Sequence, residues 1–250
     1  MMIMISFIFL FGLLMGSFFS VCIQQAKQQQ FSLWRRSHCD HCLHSLAWYD
    51  LIPLLSILLL KGQCRHCKKP ISLRYPLLEF LTACLFTGVY FCYGKTTYSF
   101  VMLIAVSALV MLAIVDLDTM LIPDRFILIL LGCGLFRLFI EPSQSHNAWI
   151  SLFCPALFMA ICAAGNKMGF GDVKLMAVSG LLLGWQKNII AFFIGSICAS
   201  LVVCWQMLAG KLTTESKIPF GPYLATGLFV VIFFGDFFVL QITTYLFPHI

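Results

Sequence analysis

Eight apolar stretches recur along this chain, and a bilayer is the solvent that accommodates such a pattern. Their approximate limits are 1–23, 77–93, 98–115, 126–140, 150–166, 173–185, 188–209 and 223–247. Polar breaks divide them at Tyr93–Thr97, Asp116–Arg125, Glu141–Trp149, Asn166–Lys174, Gly184–Asn188 and Gly210–Pro222. A spanning helix needs roughly 20 apolar residues, so the two shortest stretches fit if tilted or partly re-entrant. Charged residues make up 10% of the chain and mean hydropathy is +0.95. A soluble domain carries about 25% charged residues, so one aqueous core is excluded. The expected fold class is an all-α polytopic membrane protein of about eight transmembrane helices. Stretch 1–23 has no basic start and no small-residue cleavage site, so it reads as the first transmembrane helix rather than a signal peptide.

The net charge of +6 does not indicate nucleic acid, because the charge is not spread over a surface. Eight of the 16 Lys and Arg lie between Lys27 and Arg74, in one polar insert. Cytoplasmic loops of membrane proteins carry such an excess. With 24–76 inside, alternation puts Lys27, Arg35, Arg36, Lys61, Arg65, Lys68, Lys69, Arg74, Arg125, Lys167, Lys174, Lys211 and Lys217 inside. Only Lys95, Arg137 and Lys187 remain outside or in spans, and both chain ends lie outside. The organisation is then a first transmembrane helix at 1–23, a basic cytoplasmic insert at 24–76, and a seven-helix membrane core at 77–250.

Within the insert lie Cys39-x-x-Cys42 and Cys64-x-x-Cys67, with 21 residues between the pairs. Two such knuckles supply four thiolates for a structural tetrahedral Zn²⁺, a staple suited to a small loop domain with little core. Leu43 and Lys68 follow the pairs, which excludes a CxxCH haem site. A cytosolic setting disfavours disulfides, while a membrane thiol oxidoreductase is the redox alternative. His38, His41, His44 and His66 are nearby substitutes for a Cys ligand, with solvated loop histidines the plainer reading. The other eight cysteines are scattered through apolar segments, where thiols behave as small hydrophobes. Leu51–Leu60 is too short to span and is expected to pack on the zinc fold or lie at the interface.

Four of the ten acidic residues fall in two segments at the cytoplasmic membrane edge. One holds Asp116, Asp118, Pro123 and Asp124; the other reads Gly169-Phe-Gly171-Asp172-Val-Lys174. A carboxylate beside hydrocarbon costs about 2.5–3.5 kcal/mol on insertion scales, so its presence suggests a function. Two brought together share a proton, and the pair can deprotonate water and protonate a leaving amine. Gly169 and Gly171 allow a bend and close approach, and Asp172 enters the next helix near its N-terminus. Pro123 is expected to end regular structure and fix the turn that presents Asp116. Helix capping and solvation are the competing roles for such aspartates.

Taken in order, these stretches resemble the type IV prepilin peptidase family, the prepilin leader peptidases of GxGD type. The matching residues are Gly16-Ser-Phe18, the cysteine pairs around Trp48–Ser56 and Lys61-Gly62, Arg74–Glu79, Asp116–Asp124, Gly169–Asp172 with Lys174, and Pro219-Phe-Gly-Pro222. The short link before Cys39 resembles compact competence-type members of Gram-positive bacteria. The resemblance implies an eight-helix aspartic endopeptidase of the bacterial inner membrane with its active site facing the cytosol. Asp116 and Asp172 are then the catalytic pair, supported by Gly169, Gly171, Lys174, Pro123 and Asp124. Expected partners are prepilin or pseudopilin precursors, cut after the glycine that closes a basic leader, together with membrane lipid. Many members also methylate the new N-terminus with S-adenosylmethionine. Glu79 is a candidate contact for leader charge. Ser20 stands where the family usually has asparagine, and serine lacks the paired donor and acceptor of an amide. The competing functions are a non-enzymatic zinc-bearing assembly protein and the thiol oxidoreductase.

Overall fold

The computed structural model describes residues 2–27, 39, 42, 44–45, 47, 52–141, 148–163, 169–211 and 218–246. Arg35, Arg36, His38, His41, Trp48, Lys167, Lys217 and the side chain of Cys162 lie outside the described residues. Among those described, nine helices follow one another: α1 (Met2–Lys27), α2 (Leu55–Leu59), α3 (Arg74–Tyr93), α4 (Thr97–Thr119), α5 (Asp124–Ile140), α6 (Ala148–Ala163), α7 (Phe170–Leu183), α8 (Trp185–Leu208) and α9 (Gly221–Leu246). Each expected stretch has its helix. Five of them, α1, α3, α4, α8 and α9, are long and apolar enough to cross a membrane. Large side chains such as Phe7, Phe100, Phe139 and Trp205 stand exposed, as lipid-facing residues do. The chain is a multi-pass membrane protein.

The chain forms two compact units, 1–94 and 95–250. In the first, α1 packs along α3. Glycine makes this approach close: a Cβ on Gly12 would stand 2.6 Å from the Ala83 Cα, and one on Gly16 2.6 Å from the Glu79 Cα. Hydrophobic burial does not drive helices together in lipid, so such small-residue contacts carry the association. Leu51–Leu60 yields the single short turn of α2, and the Leu54 amide just before it donates to the Glu79 Oε2 at 3.0 Å. Leu54 is left-handed at φ 57°, a conformation costing roughly 1–2 kcal/mol that this charge-assisted bond helps to offset.

In the second unit, α4 forms the middle, packed on α5 and α9, with Met102, Ala105, Ala108 and Leu112 fully buried. Thr96 caps its start, accepting from the Ser99 amide at 3.1 Å. Its end differs from expectation. Helix α4 runs through Asp116 and Asp118 to Thr119, and left-handed Met120 stops it. Pro123 instead takes the extended N-cap position of α5, where its missing N–H has no helical partner to lose. Asn188, read as part of a polar break, is fully buried in α8; its Nδ2 donates to the Met176 carbonyl at 2.7 Å, and its Oδ1 accepts from Ser179. Polar side chains satisfied in this way belong to the interior, and only Gly184 separates α7 from α8.

Candidate active site and metal centre

Three chain segments far apart in sequence meet around Asp116. The last turn of α4 carries this residue, which is 4% exposed. The first residue of α9, Gly221, donates its backbone N–H to the Asp116 Oδ2 at 3.0 Å. The first turn of α7 brings Asp172, 6% exposed, within the electrostatic reach of Asp116. The two aspartates singled out in the sequence thus lie at buried ends of helices α4 and α7.

The glycines of the 169–172 box open the room this needs. Gly169 is the extended N-cap of α7, and a Cβ there would press on the Asp172 Oδ2 at 3.3 Å. A Cβ on Gly171 would meet Ile122 at 2.9 Å, so the box lies directly against the turn between α4 and α5. Helix α7 is held to α5 at both ends. Lys174 Nζ pairs with the Asp124 Oδ1 at 2.7 Å, and at the other end Arg137 Nη1 donates to the Leu182 carbonyl at 2.6 Å. Asp118 and Asp124 are exposed, unlike the buried pair.

Asp172 lies ahead of the apolar stretch 173–185. Burial pushes its carboxyl up to about 6, and the neighbouring Asp116 charge pushes the same way against a Gly169 backbone bond. A carboxyl tuned upward beside an anionic neighbour is the arrangement a proton donor requires.

Glu79, the candidate leader contact, belongs to the other unit. It is 5% exposed, and its carboxylate accepts from the Leu54 amide and from Ser17. These bonds hold the insert's turn to α1 and α3. Ser20 bonds its own helix, donating to the Gly16 carbonyl at 3.2 Å.

The four cysteines converge. The Sγ atoms of Cys39, Cys42, Cys64 and Cys67 all lie within 4.8 Å of one another, with Cys39 and Cys67 at 3.9 Å. A tetrahedral ion with Zn–S of about 2.3 Å would separate its sulfurs by about 3.8 Å, so this donor set fits zinc. Backbone shapes each knuckle. The Cys39 amide donates to the His44 carbonyl, and the Cys64 amide donates to the Lys69 carbonyl beside left-handed Lys68. Backbone N–H groups of Cys67 and His66 pull the Cys64 thiol down to about 7, favouring thiolate. The His44 and His66 rings meet at a tilt of 38°, with centroids 3.6 Å apart.

Known proteins are similar to this chain in sequence. Residues 10–93 match the bacterial peptidase A24 N-terminal domain, and residues 103–204 match the type IV leader peptidase family. A Bacillus subtilis (strain 168) prepilin leader peptidase/N-methyltransferase is 34% identical over 93% of this chain and 95% of its own length. The chain belongs to the type IV leader peptidase family. Other relatives of the family bear the same name: one from Aeromonas hydrophila is 34% identical, covering 92% of this chain and 91% of the relative. One from Stutzerimonas stutzeri is 30% identical, covering 90% and 89% respectively. No solved structure matches the chain.

Residue reading alone did not single out Gly221 as part of the site. Its partner Asp116 lies 105 positions away, and the available signal was the pair of prolines framing the glycine in Pro219-Phe-Gly-Pro222.

Proposed function

We propose that this leader peptidase family member hydrolyses pilin-like precursors at the cytosolic face of the bacterial inner membrane, with Asp116 and Asp172 as its catalytic pair. The convergence of two buried carboxylates at neighbouring helix ends carries this reading. One ionised carboxylate takes a proton from water, whose oxygen attacks the scissile carbonyl carbon. The protonated partner donates to the carbonyl oxygen, giving a neutral gem-diol. The first carboxyl then passes its proton to the amide nitrogen as the C–N bond breaks, and a diol hydroxyl returns a proton to the second. Protons balance over the cycle.

Lys174 and Asp124 brace α7 against α5, while Gly169 and Gly171 keep the approach open. The excess of Lys and Arg in the loops assigned to the cytosol supports the orientation. Substrates on this reading are precursors with a basic leader closed by glycine and followed by an apolar helix lying in lipid. Cys39, Cys42, Cys64 and Cys67 would hold a structural zinc whose four protein ligands leave no open position for water. The relatives' names also carry N-methyltransferase activity, for which S-adenosylmethionine would be the methyl donor. The described residues assign that donor no pocket, and the hydrolytic steps do not involve it.

Co-expression with a pilin precursor, followed by mass spectrometry of the mature N-terminus, tests the reading. Asp116→Asn and Asp172→Asn should each lower cleavage at least about a hundredfold while the protein still inserts. Full cleavage by both variants overturns it. The same spectra report whether the new N-terminus is methylated.

A further inference from the structure

The Pro219-Phe-Gly-Pro222 turn contributes one backbone donor to the site. At the start of α9, Pro222 has no N–H. The Tyr223 and Leu224 amides both donate to the Phe220 carbonyl, at 3.1 Å each. Gly221 is the first-turn residue whose N–H goes to Asp116, at 3.0 Å. The same carboxylate fills the space where a side chain would begin: a Cβ on Gly221 would lie 2.6 Å from the Asp116 Oδ2 and 3.1 Å from its Cγ. Glycine is therefore required here for clearance, since the residue is not among those with positive φ. The bond also lies at the positive end of the α9 dipole, where negative charge is favoured.

We propose that Gly221 is a positioning residue for peptide hydrolysis: its amide, unobstructed by a side chain, orients the Asp116 carboxyl and favours its carboxylate form, which suits Asp116 to the role of base. Asp172 is then the proton donor. It too has a backbone partner, Gly169, but burial and the Asp116 charge outweigh that bond and raise its carboxyl to about 6, so the donor form is present up to about that pH. The inference rests on the catalytic assignment above and adds a division of labour between the two acids.

The test uses the full-length enzyme in detergent, a synthetic precursor segment with leader, glycine and apolar helix, and separate kcat and KM values. Gly221→Ala keeps the N–H but pushes the carboxylate away. Gly221→Pro adds the same Cβ and removes the donor as well, at a helix start whose backbone accepts proline. Gly132→Ala is the control, because a Cβ there meets nothing within 4 Å. Both Gly221 variants should lose about 10–100-fold in kcat, the usual consequence of a catalytic group displaced by about 1 Å, with KM within about twofold. Gly132→Ala should match the parent enzyme. A KM rise with kcat retained would make Gly221 part of the substrate cleft and overturn the proposal. Unchanged kinetics, or failure of both Gly221 variants to fold while Gly132→Ala folds, would overturn it as well. Loss of activity in Asp116→Asn together with full activity in Gly221→Ala would reject this inference and leave the catalytic pair standing.

Discussion

The two units place glycine and reactive side chains in opposite service. In 1–94, Gly12 and Gly16 admit a neighbouring helix backbone, and the four thiols turn inward on one another. In 95–250, Gly169 and Gly221 clear space around carboxylates, and the two acids are left without a cation bonded to either among the described contacts. A ligand set that completes its own coordination gives stability. A pair of like charges held together costs stability and gives reactivity. The difference separates scaffold from chemistry within one short chain.

The comparison is sharpest when one member of each set is removed. Asp172→Asn should abolish cleavage per folded molecule, at least about a hundredfold, with little loss of folded protein. Cys64→Ser should do the reverse, lowering folded yield while the survivors cleave within a few-fold of the parent. Metal analysis should find one zinc per chain with reduced thiols, and a strong chelator should lower thermal stability before it affects turnover. Zinc-free protein of normal stability would break the contrast, and a redox-active cysteine pair would return the oxidoreductase reading.

Helix packing in the first unit gives the next largest effect. Gly12→Leu or Gly16→Leu forces a side chain against the α3 backbone, and overpacking of this kind costs about 1–3 kcal/mol. Thermal unfolding should register it, with kcat preserved in the fraction that stays folded. An unchanged melting temperature would show that α1 and α3 separate freely.

How much of this was legible beforehand depended on the range of each interaction. The cysteine spacing is a local pattern with a fixed chemical meaning, so the four-thiol cluster could be read directly. Hydropathy located the helices but misplaced their ends at Asp116 and Asn188, because a polar residue inside a helix and one in a loop carry the same hydropathy. The α1–α3 seam has a sequence signal: Gly12 and Gly16 are four apart, the spacing of a small-residue membrane interface. For Gly221 the framing prolines mark a turn, but nothing local announces that its amide will reach Asp116.

Acid–base behaviour probes the second unit alone. With the Asp172 carboxyl raised to about 6, the pair keeps its shared proton up to that pH and loses it as pH rises further. The donor form disappears in that direction, so kcat/KM should fall tenfold per unit on the alkaline side of a limb near 6. A limb near 4, where an ordinary carboxyl titrates, would show that burial and the Asp116 charge do not tune this group.

The smallest effect should come from the Lys174–Asp124 pair. Its 2.7 Å contact looks strong, yet the side chains are 44% and 70% exposed. Water screens such a pair, and exposed ion pairs typically couple by about 0.2–1 kcal/mol. Helix α7 keeps two other attachments to the neighbouring structure, the Gly171 contact with Ile122 and the Arg137 bond to the Leu182 carbonyl. Lys174→Met and Asp124→Asn should therefore each lower kcat less than about tenfold, and the double variant should be no worse than the weaker single. Coupling much larger than that range would mean that the pair experiences a drier environment than its exposure indicates. Lys174 would then be part of the electrostatic setting of Asp172, two residues away, and the boundary between scaffold and chemistry would run through α7 itself.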